Sequence, residues 1–476
     1  MESKARHKSF AFVLGEIMDF LNDTIAAISS PRGTGGVAVI RISGEGSFAV
    51  CDKLLTTYKK RPLHELTPSK LYRCVINGEN GSIDDCMCAY FKGPSSFTGE
   101  DTVEIYCHGG ALCTSLVLER CFVCGARQAL AGEFTKRAFV NGKLSLTAAE
   151  AVGELIHAKT KAAVAISNSN MHSTLDRKIS EISDAIKEIL ASVYVYIDYP
   201  DEELYDLSAS EMAEKLSLIK EDISTLSKSY RSGMAVSSGI STAIVGTPNV
   251  GKSTLLNLLC KKERAIVTDI AGTTRDIISE EVVLGDILLK LSDTAGVRKT
   301  DDVVESIGVN LSLSQIDEAE LIFAVFDGTR ELSSDDRELI NKLKDSSKTV
   351  LAIVNKTDEG EMPLKEISES FDNVISISAK NADSARLIED TVRKLFLDES
   401  LDFGTSPIVT SAERNAALTS AKESIDRAIS LLLASGEQTI AGSLCEEAVS
   451  ALDSSSGKAV SEDVVNTIFS RFCVGK

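Results

Sequence analysis

The spacing of apolar positions along the chain changes character three times. From Asn22 to about Val140, short apolar runs closed by glycines predict strands of a mixed α/β module. The clearest are "GGVAVIRISG" (Gly35–Gly44) and "TVEIYCHGG" (Thr102–Gly110). From about Leu146 to Lys228 the period becomes helical. Ile182, Ile186, Ile189 and Val193 step by four, three and four, and so do Met212, Leu216, Ile219 and Ile223. At "STAIVG" (Ser241–Gly246) short strands begin to alternate with helices: "DILLKLSD" (Asp286–Asp293), "LIFAVFD" (Leu321–Asp327), "TVLAIVN" (Thr349–Asn355) and "VISIS" (Val374–Ser378). A mostly parallel sheet covered by helices has this pattern. Beyond about Asp398 the helical period returns, with Leu418, Ile425, Ile429 and Leu432 on one stripe. The economical arrangement is a multidomain α+β chain in which an α/β domain is inserted into a helical one. We expect an extension over 1–21, an N-terminal α/β domain over 22–140, helical segments over 141–238 and 399–476, and the inserted domain over 239–398.

Composition narrows the function more than the fold. The 476 residues suit roughly two to four domains. The net charge of −19 argues against a chain that coats nucleic acid by bulk electrostatics, so any RNA contact needs a local basic patch or a partner's surface. The 11 cysteines include Cys121-Phe122-Val123-Cys124, with Cys86 and Cys88 nearby, yet no second pair completes a zinc spacing. Together with the lack of a signal-peptide pattern, this predicts buried thiols of a reducing, cytoplasmic protein. No apolar run approaches the ~18 residues of a membrane span. In the first 20 residues Glu2, Glu16 and Asp19 do not suit a transit peptide. A disordered extension, or a start at Met18, is expected instead.

"GTPNVGKST" (Gly246–Thr254) fits G-x-x-x-x-G-K-[ST] and stands between a strand and the helical "TLLNLLC". Its backbone N–H groups suit phosphates at the positive end of the following helix, which makes Asn249, Val250, Gly251, Lys252, Ser253 and Thr254 candidate nucleotide ligands. Lys252 is expected on the β and γ phosphates and Ser253 on Mg²⁺. "DTAG" (Asp293, Thr294, Ala295, Gly296) ends a strand, with Asp293 directed at the magnesium and the Gly296 N–H at the γ-phosphate. "NKTD" supplies Asn355, Lys356 and Asp358, and Asp358 can accept both guanine N1–H and the exocyclic amine. Two charge-assisted hydrogen bonds of roughly 1.5–3 kcal/mol each account for a guanine preference. "SAK" (Ser378, Ala379, Lys380) would cover the base. Four motifs in this order predict a Ras-like P-loop GTPase domain.

Two details bear on hydrolysis. Val297 follows "DTAG", where Ras-type enzymes carry the Gln that orients water. Asp301, Asp302 and Glu305 are the nearby polar candidates. "TDIAGTTRD" (Thr268–Asp276) brings Thr268, Asp269, Ile270, Ala271, Gly272, Thr273 and Thr274 within reach of the phosphates. Thr274 is expected on Mg²⁺. The Asn249 amide oxygen and carbonyls near Thr268 and Ile270 suit a monovalent cation, which would supply the charge of an arginine finger, an effect of order 10³–10⁵ in rate. Arg275 is the alternative finger. The expectation is faster hydrolysis in K⁺ than in Na⁺.

The chain closes on "FCVGK" (Phe472–Lys476), a thiol, a glycine and an amine. With "RGTGGVAVIRISG", "FTGEDTVEIYCHGG", "GEFTKRAFVNGKL", "IDYPDEE", "GTPNVGKST" and "TDIAGTTRD", it gives a sequence that closely resembles the MnmE/TrmE family of tRNA-modification GTPases, from about Asn22 to Lys476. The resemblance implies an N-terminal tetrahydrofolate-binding and dimerisation domain and a helical domain interrupted by the G domain. It implies a heterotetramer with the FAD protein MnmG (GidA). The pair would add an aminomethyl or carboxymethylaminomethyl group at C5 of the tRNA wobble uridine, using 5,10-methylene- or 5-formyl-tetrahydrofolate. By matching motifs it assigns folate contacts to Arg41, Glu104, Lys143 and Lys476. It gives magnesium to Ser253 and Thr274, potassium to Asn249, Thr268, Ile270 and Thr273, and water positioning to Glu305. The tail would return to the folate site, with Cys473 a candidate nucleophile. The chain departs from the family's usual residues at Ala131, Ser145 and Val474. The rival reading is a GTP-switched ribosome-assembly or RNA-binding factor, which would call for a basic module that the composition does not supply.

Overall fold

The computed structural model describes residues 23–31, 33–198, 207–262, 280–291, 316–455, 462–470 and 472–476. Two compact units share the chain. One runs to Gly153 and also takes Asp453–Lys476, and the other is Glu154–Leu452.

The first unit is built on a sheet of β1 (Ile25–Ile28), β2 (Val37–Ser43), β3 (Leu55–Thr57), β4 (Tyr72–Asn77), β5 (Ser82–Phe91), β6 (Thr102–His108) and β7 (Arg127–Gln128). Its strand order is β3-β4-β5-β6-β2-β1-β7, antiparallel except for β1 with β7. Strand period decides what each face carries. Ala38, Ile40 and Ile42 of β2 and Val103, Ile105 and Cys107 of β6 pack into one core with Val50, Leu54, Val117 and Cys121, from the helices Ser47–Leu54 and Ala111–Val123. The alternate residues, Arg41 on β2 and Glu104 and Tyr106 on β6, therefore belong to the other face. Arg41 stands directly opposite Glu104 in the register.

The second unit has a sheet of β8 (Ile240–Val245), β9 (Glu280–Leu284), β10 (Ile287–Leu291), β11 (Leu321–Asp327), β12 (Thr349–Asn355) and β13 (Val374–Ser376), in the order β13-β12-β11-β8-β10-β9. All its pairs are parallel except β9 with β10. The unbroken apolar run of β11 splits by period two. Leu321, Phe323 and Val325 enter one core, while Ile322, Ala324 and Phe326 enter the other. That is why this strand reads as continuous rather than alternating.

Four helices, Thr174–Asp198, Ala209–Ser237, Ala412–Ser435 and Gln438–Ser455, close a separate core. The stripes expected from the sequence lie in it: Ile182, Ile186, Ile189, Val193, Met212, Leu216, Ile219, Ile223, Leu418, Ile425 and Leu432 are buried, and Ile429 packs against them. Ser208 opens the helix Ala209–Ser237 with a reciprocal cap to Glu211, which satisfies two otherwise orphan N–H groups. Among the described residues no helix is long and apolar enough to cross a membrane.

Candidate functional site

The phosphate-loop motif fills the turn between β8 and the helix Lys252–Lys262. Asn249 adopts a left-handed backbone with φ 64°. Gly251 has φ 100°, and a Cβ there would overlap the Asn355 amide. That amide, at the end of β12, is almost fully buried. Its Nδ2 donates to the Val250 carbonyl at 2.9 Å, and its Oδ1 accepts the Ala379 N–H at 2.9 Å. One side chain thus joins three loops that the sequence assigns to the nucleotide: those of Val250, Asn355 and Ala379.

Lys252 donates from Nζ to the carbonyls of Gly246 at 2.8 Å and Thr247 at 2.9 Å, and burial draws its ammonium pKa down. Ser253 and Thr254 are exposed at the start of the helix. Lys356, with φ 64°, donates to Asp327 Oδ2 at 2.6 Å. Burial alone would raise the Asp327 carboxyl, but hydrogen bonds from Lys356 and Thr329 hold it below its ordinary value. Asp358 and Lys380 face each other at 3.5 Å, both exposed. Hydrogen bonding to Ser378, then the charge of Lys380, keeps the Asp358 carboxyl low. That leaves Asp358 an ionised acceptor, the state that reading guanine requires.

Thr268, Asp269, Ile270, Ala271, Gly272, Thr273, Thr274, Arg275, Asp293, Thr294, Ala295, Gly296, Asp301, Asp302 and Glu305 lie outside the described residues. Sequence reasoning missed one support of the loop. Thr247 and Asp336 are hydrogen-bonded at 2.7 Å, and Arg330 contacts both, at 3.1 and 2.8 Å. Asp336 also caps the helix Ser334–Lys344 with Ser333. Ser333 and Asp336 stand in an S-x-x-D spacing that suits such a cap, but no spacing links them to Thr247.

In the first unit Arg41 makes two contacts to Glu104 Oε1, from Nε at 3.0 Å and from the guanidinium terminus at 2.9 Å. Tyr106 donates its hydroxyl to Glu104 Oε2 at 2.6 Å. Burial, then this bond, pushes the phenol up to about 12. The Arg41 guanidinium lies over the rings of Phe97 at 5.2 Å and Phe134 at 5.6 Å. Lys143 donates to the Pro94 carbonyl at 2.9 Å, in the loop that carries Phe97.

The last residues of the chain reach the same place. Val474 bridges Ala131 in an isolated antiparallel pair, so two positions that depart from the family pattern meet. Gly132 N–H donates to the Cys473 carbonyl at 3.3 Å, and Phe134 N–H donates to Lys476 O at 3.2 Å. Ser29 Oγ donates to the Gly475 carbonyl at 2.9 Å. Phe472 packs on Phe469, with ring centroids 5.4 Å apart. Gly475 has φ 102°, and a Cβ would run into the Ile28 carbonyl, so only glycine lets the tail lie this close to β1. Lys476 is half-buried. Burial lowers its ammonium pKa first and nearby Arg41 adds to that, against Glu104 and Cys473. Cys473 is exposed. The structure thus brings Arg41, Glu104 and Lys476 together and sets Lys143 on an adjoining loop. Tyr106, Phe97 and Phe134 were not singled out, although all three lie inside the quoted motifs.

Beneath this site is a buried charge cluster. Arg137 is fully buried and contacts Asp23 at 2.6 Å, Glu133 at 2.9 Å and Glu100 at 3.2 Å. Arg127 adds contacts to Asp23 and Glu133. The cluster grips both sides of the loop that holds the tail.

Most of the chain matches models of known protein families. The model described as GTP-binding protein TrmE N-terminus matches residues 24–143, and the MnmE helical domain model matches residues 146–473. A protein of Clostridioides difficile named tRNA modification GTPase MnmE is 40% identical over 467 residues, covering 96% of this chain and 100% of that protein. Its namesake in Thermotoga maritima is 37% identical over 459 residues, covering 95% and 100%. That of Thermoanaerobacter pseudethanolicus is 38% identical over 459 residues, covering 95% and 99%. Matched along nearly its full length by these relatives and by both family models, the chain belongs to the MnmE/TrmE family.

Proposed function

We propose that this chain hydrolyses GTP and takes part in C5 modification of the tRNA wobble uridine, acting with the FAD protein MnmG and a tetrahydrofolate. The observation that carries the reading is that the chain's last residue is hydrogen-bonded through its carbonyl to Phe134, whose ring lies against Arg41, the partner of Glu104, since these charges beside aromatic rings suit a folate. A folate would supply the one-carbon unit. Three of the four lone-pair positions of Glu104 are taken by Arg41 and Tyr106, which leaves one on Oε2 for a pterin donor. Arg41 would orient Glu104 for the pterin, and Lys476 and Lys143 would supply positive charge for the folate's anionic groups. Cys473, exposed on the tail, is the candidate nucleophile towards C6 of uridine, an addition that activates C5.

At the nucleotide site Lys252 would leave the carbonyls of Gly246 and Thr247 for the phosphates, which are stronger partners. Ser253 presents an exposed hydroxyl at a helix start beside the phosphate loop, a donor that fits Mg²⁺, with Thr274 its companion. The left-handed Asn249 offers its amide oxygen to K⁺, with Thr268, Ile270 and Thr273 as further ligands. Each ion would neutralise phosphate charge, and Glu305 would hold the attacking water. Dimerisation through the N-terminal domain and a cytoplasmic location belong to the same reading.

The test is nucleoside mass spectrometry of tRNA from cells lacking the protein, repeated after restoration with wild type, Cys473→Ser or Lys252→Ala. Loss of a C5-substituted wobble uridine, restored by wild type alone, is the expected result. Unchanged nucleosides would overturn it and favour an assembly factor.

A further inference from the structure

The second unit holds an open cavity of about 480 Å³ away from the nucleotide motifs. It is lined by Thr349 and Asn373, at the beginnings of β12 and β13, whereas the base-reading Asn355 ends β12. Seven residues of strand, roughly 20 Å, separate the two ends. Nucleotides in sheets of this kind bind beyond the carboxyl ends of the strands, so the cavity lies at the opposite pole.

Its charge is out of character for the chain. In a protein with 70 acidic and 51 basic residues, four cations line this cavity: Arg231, Lys344, Lys348 and Lys394. Asp372 is the one carboxylate among its described lining residues. Some cations elsewhere in this unit pair with carboxylates, as Lys356 does with Asp327, Arg337 with Glu366 and Lys380 with Glu359. Lys344 and Lys394 have no such partner among the described residues. Lys348 donates to the backbone carbonyl of Asp317. Arg231 lies over the Phe396 ring at 4.7 Å and donates to Thr349 Oγ1 at 3.2 Å, which leaves guanidinium N–H groups for a ligand. Lys344 and Lys394 each offset the negative end of a helix, Ser334–Lys344 and Ser384–Phe396. That explains each lysine singly. It does not explain why both converge with Arg231, from the helix Ala209–Ser237, on one polar cavity.

We propose that this cavity is a second anion site that binds phosphate groups, carried either by an RNA backbone or by a free phosphate compound. Mutually repelling ammonium groups around an open hollow gain most from an oxyanion that accepts from several of them at once. Because its walls come from the helix Ala209–Ser237 and from the sheet, a bound phosphate would tie the two together.

Calorimetric titration of the whole protein, with saturating GDP and Mg²⁺ occupying the nucleotide site, tests this. One arm uses inorganic pyrophosphate and the other a short single-stranded RNA. We expect at least one probe to bind, and the Lys344→Ala/Lys394→Ala double variant to bind it about tenfold more weakly, with basal GTP hydrolysis unchanged. Binding of pyrophosphate identifies a free phosphate compound. Binding of RNA alone, with a salt slope that falls by about 1.4 in the double variant, identifies a nucleic-acid backbone. If neither probe binds, or if the double variant binds as wild type does, the proposal is wrong. Both lysines are exposed and have no carboxylate partner among the described residues, so the double variant should fold normally.

Discussion

Asn355 and Gly475 each hold a site together, by different physics. The Asn355 amide is buried between the Val250 carbonyl and the Ala379 N–H, so Asn355→Ala strands two polar groups. The expected cost is about 2 kcal/mol or more, and GDP affinity should fall with it because two loops lose their common anchor. Denaturant unfolding and titration with a fluorescent GDP analogue measure both. A variant with wild-type values in each would show that the loops are held by something else. At Gly475 the constraint is steric and conformational. Gly475→Ala forces a side chain into the Ile28 carbonyl at φ 102°, and left-handed backbone alone costs an alanine about 1–2 kcal/mol. The tail should lift while the sheet persists. Hydrogen exchange at the Gly132 and Phe134 amides, which donate to the tail, should then quicken by about tenfold or more, with core amides unaffected. No change there would mean that the backbone contacts to Cys473 and Lys476 do not hold the segment.

Elements whose apolar spacing follows one period were legible in the sequence. The stripes on the helices Thr174–Asp198, Ala209–Ser237 and Ala412–Ser435, and the runs of β11 and β12, are set by burial alone and appear where the pattern puts them. The helix Glu133–Val140 was not legible in this way. Its buried residues include Glu133 and Arg137, whose charges read as surface until the partners from Asp23 and Glu100 are known. Such a cluster leaves a pH signature. Burial raises the Glu133 and Asp23 carboxyls, but the arginines Arg127 and Arg137 win, so both titrate below their ordinary values of 4.5 and 3.8. The unfolded chain therefore binds more protons over that range. Stability from these groups is complete above about pH 4.5 and is lost as the pH falls through the lowered folded values. Glu133→Gln should lose about 3 kcal/mol at neutral pH, because Arg137 stays buried with one partner fewer, and should show a shallower acid limb. Urea unfolding of both proteins from pH 3 to pH 7, roughly the window of these shifts, checks it. A variant as stable as wild type, with the same acid limb, would remove the cluster from the account of this unit.

At the scale of the molecule, the nucleotide motifs were legible because phosphate and guanine chemistry restricts which residues serve, and those motifs are short and local. The tail was not. Ser29 and Gly475 are 446 residues apart, and no spacing in the sequence pairs them. Only the family resemblance suggested that the tail returns. The two candidate sites also belong to different compact units, each with cores of its own. Removing a side chain from one site should therefore leave the intrinsic chemistry of the other intact. Lys476→Ala should weaken tetrahydrofolate binding by about tenfold, the loss of one charge-assisted contact. Its GTP hydrolysis should persist, in K⁺ and in Na⁺ alike. Lys252→Ala should do the reverse, with folate binding kept and hydrolysis down by about a hundredfold, as when one preorganised cation is taken from a developing charge. In the proposed function modification of tRNA draws on both sites, so it should fail in either variant. Hydrolysis rates in each salt, folate titration and nucleoside analysis of the same two proteins complete the comparison. If Lys476→Ala slowed GTP hydrolysis as severely as Lys252→Ala, the sites would not be independent, and the tail would have to act on the nucleotide as well.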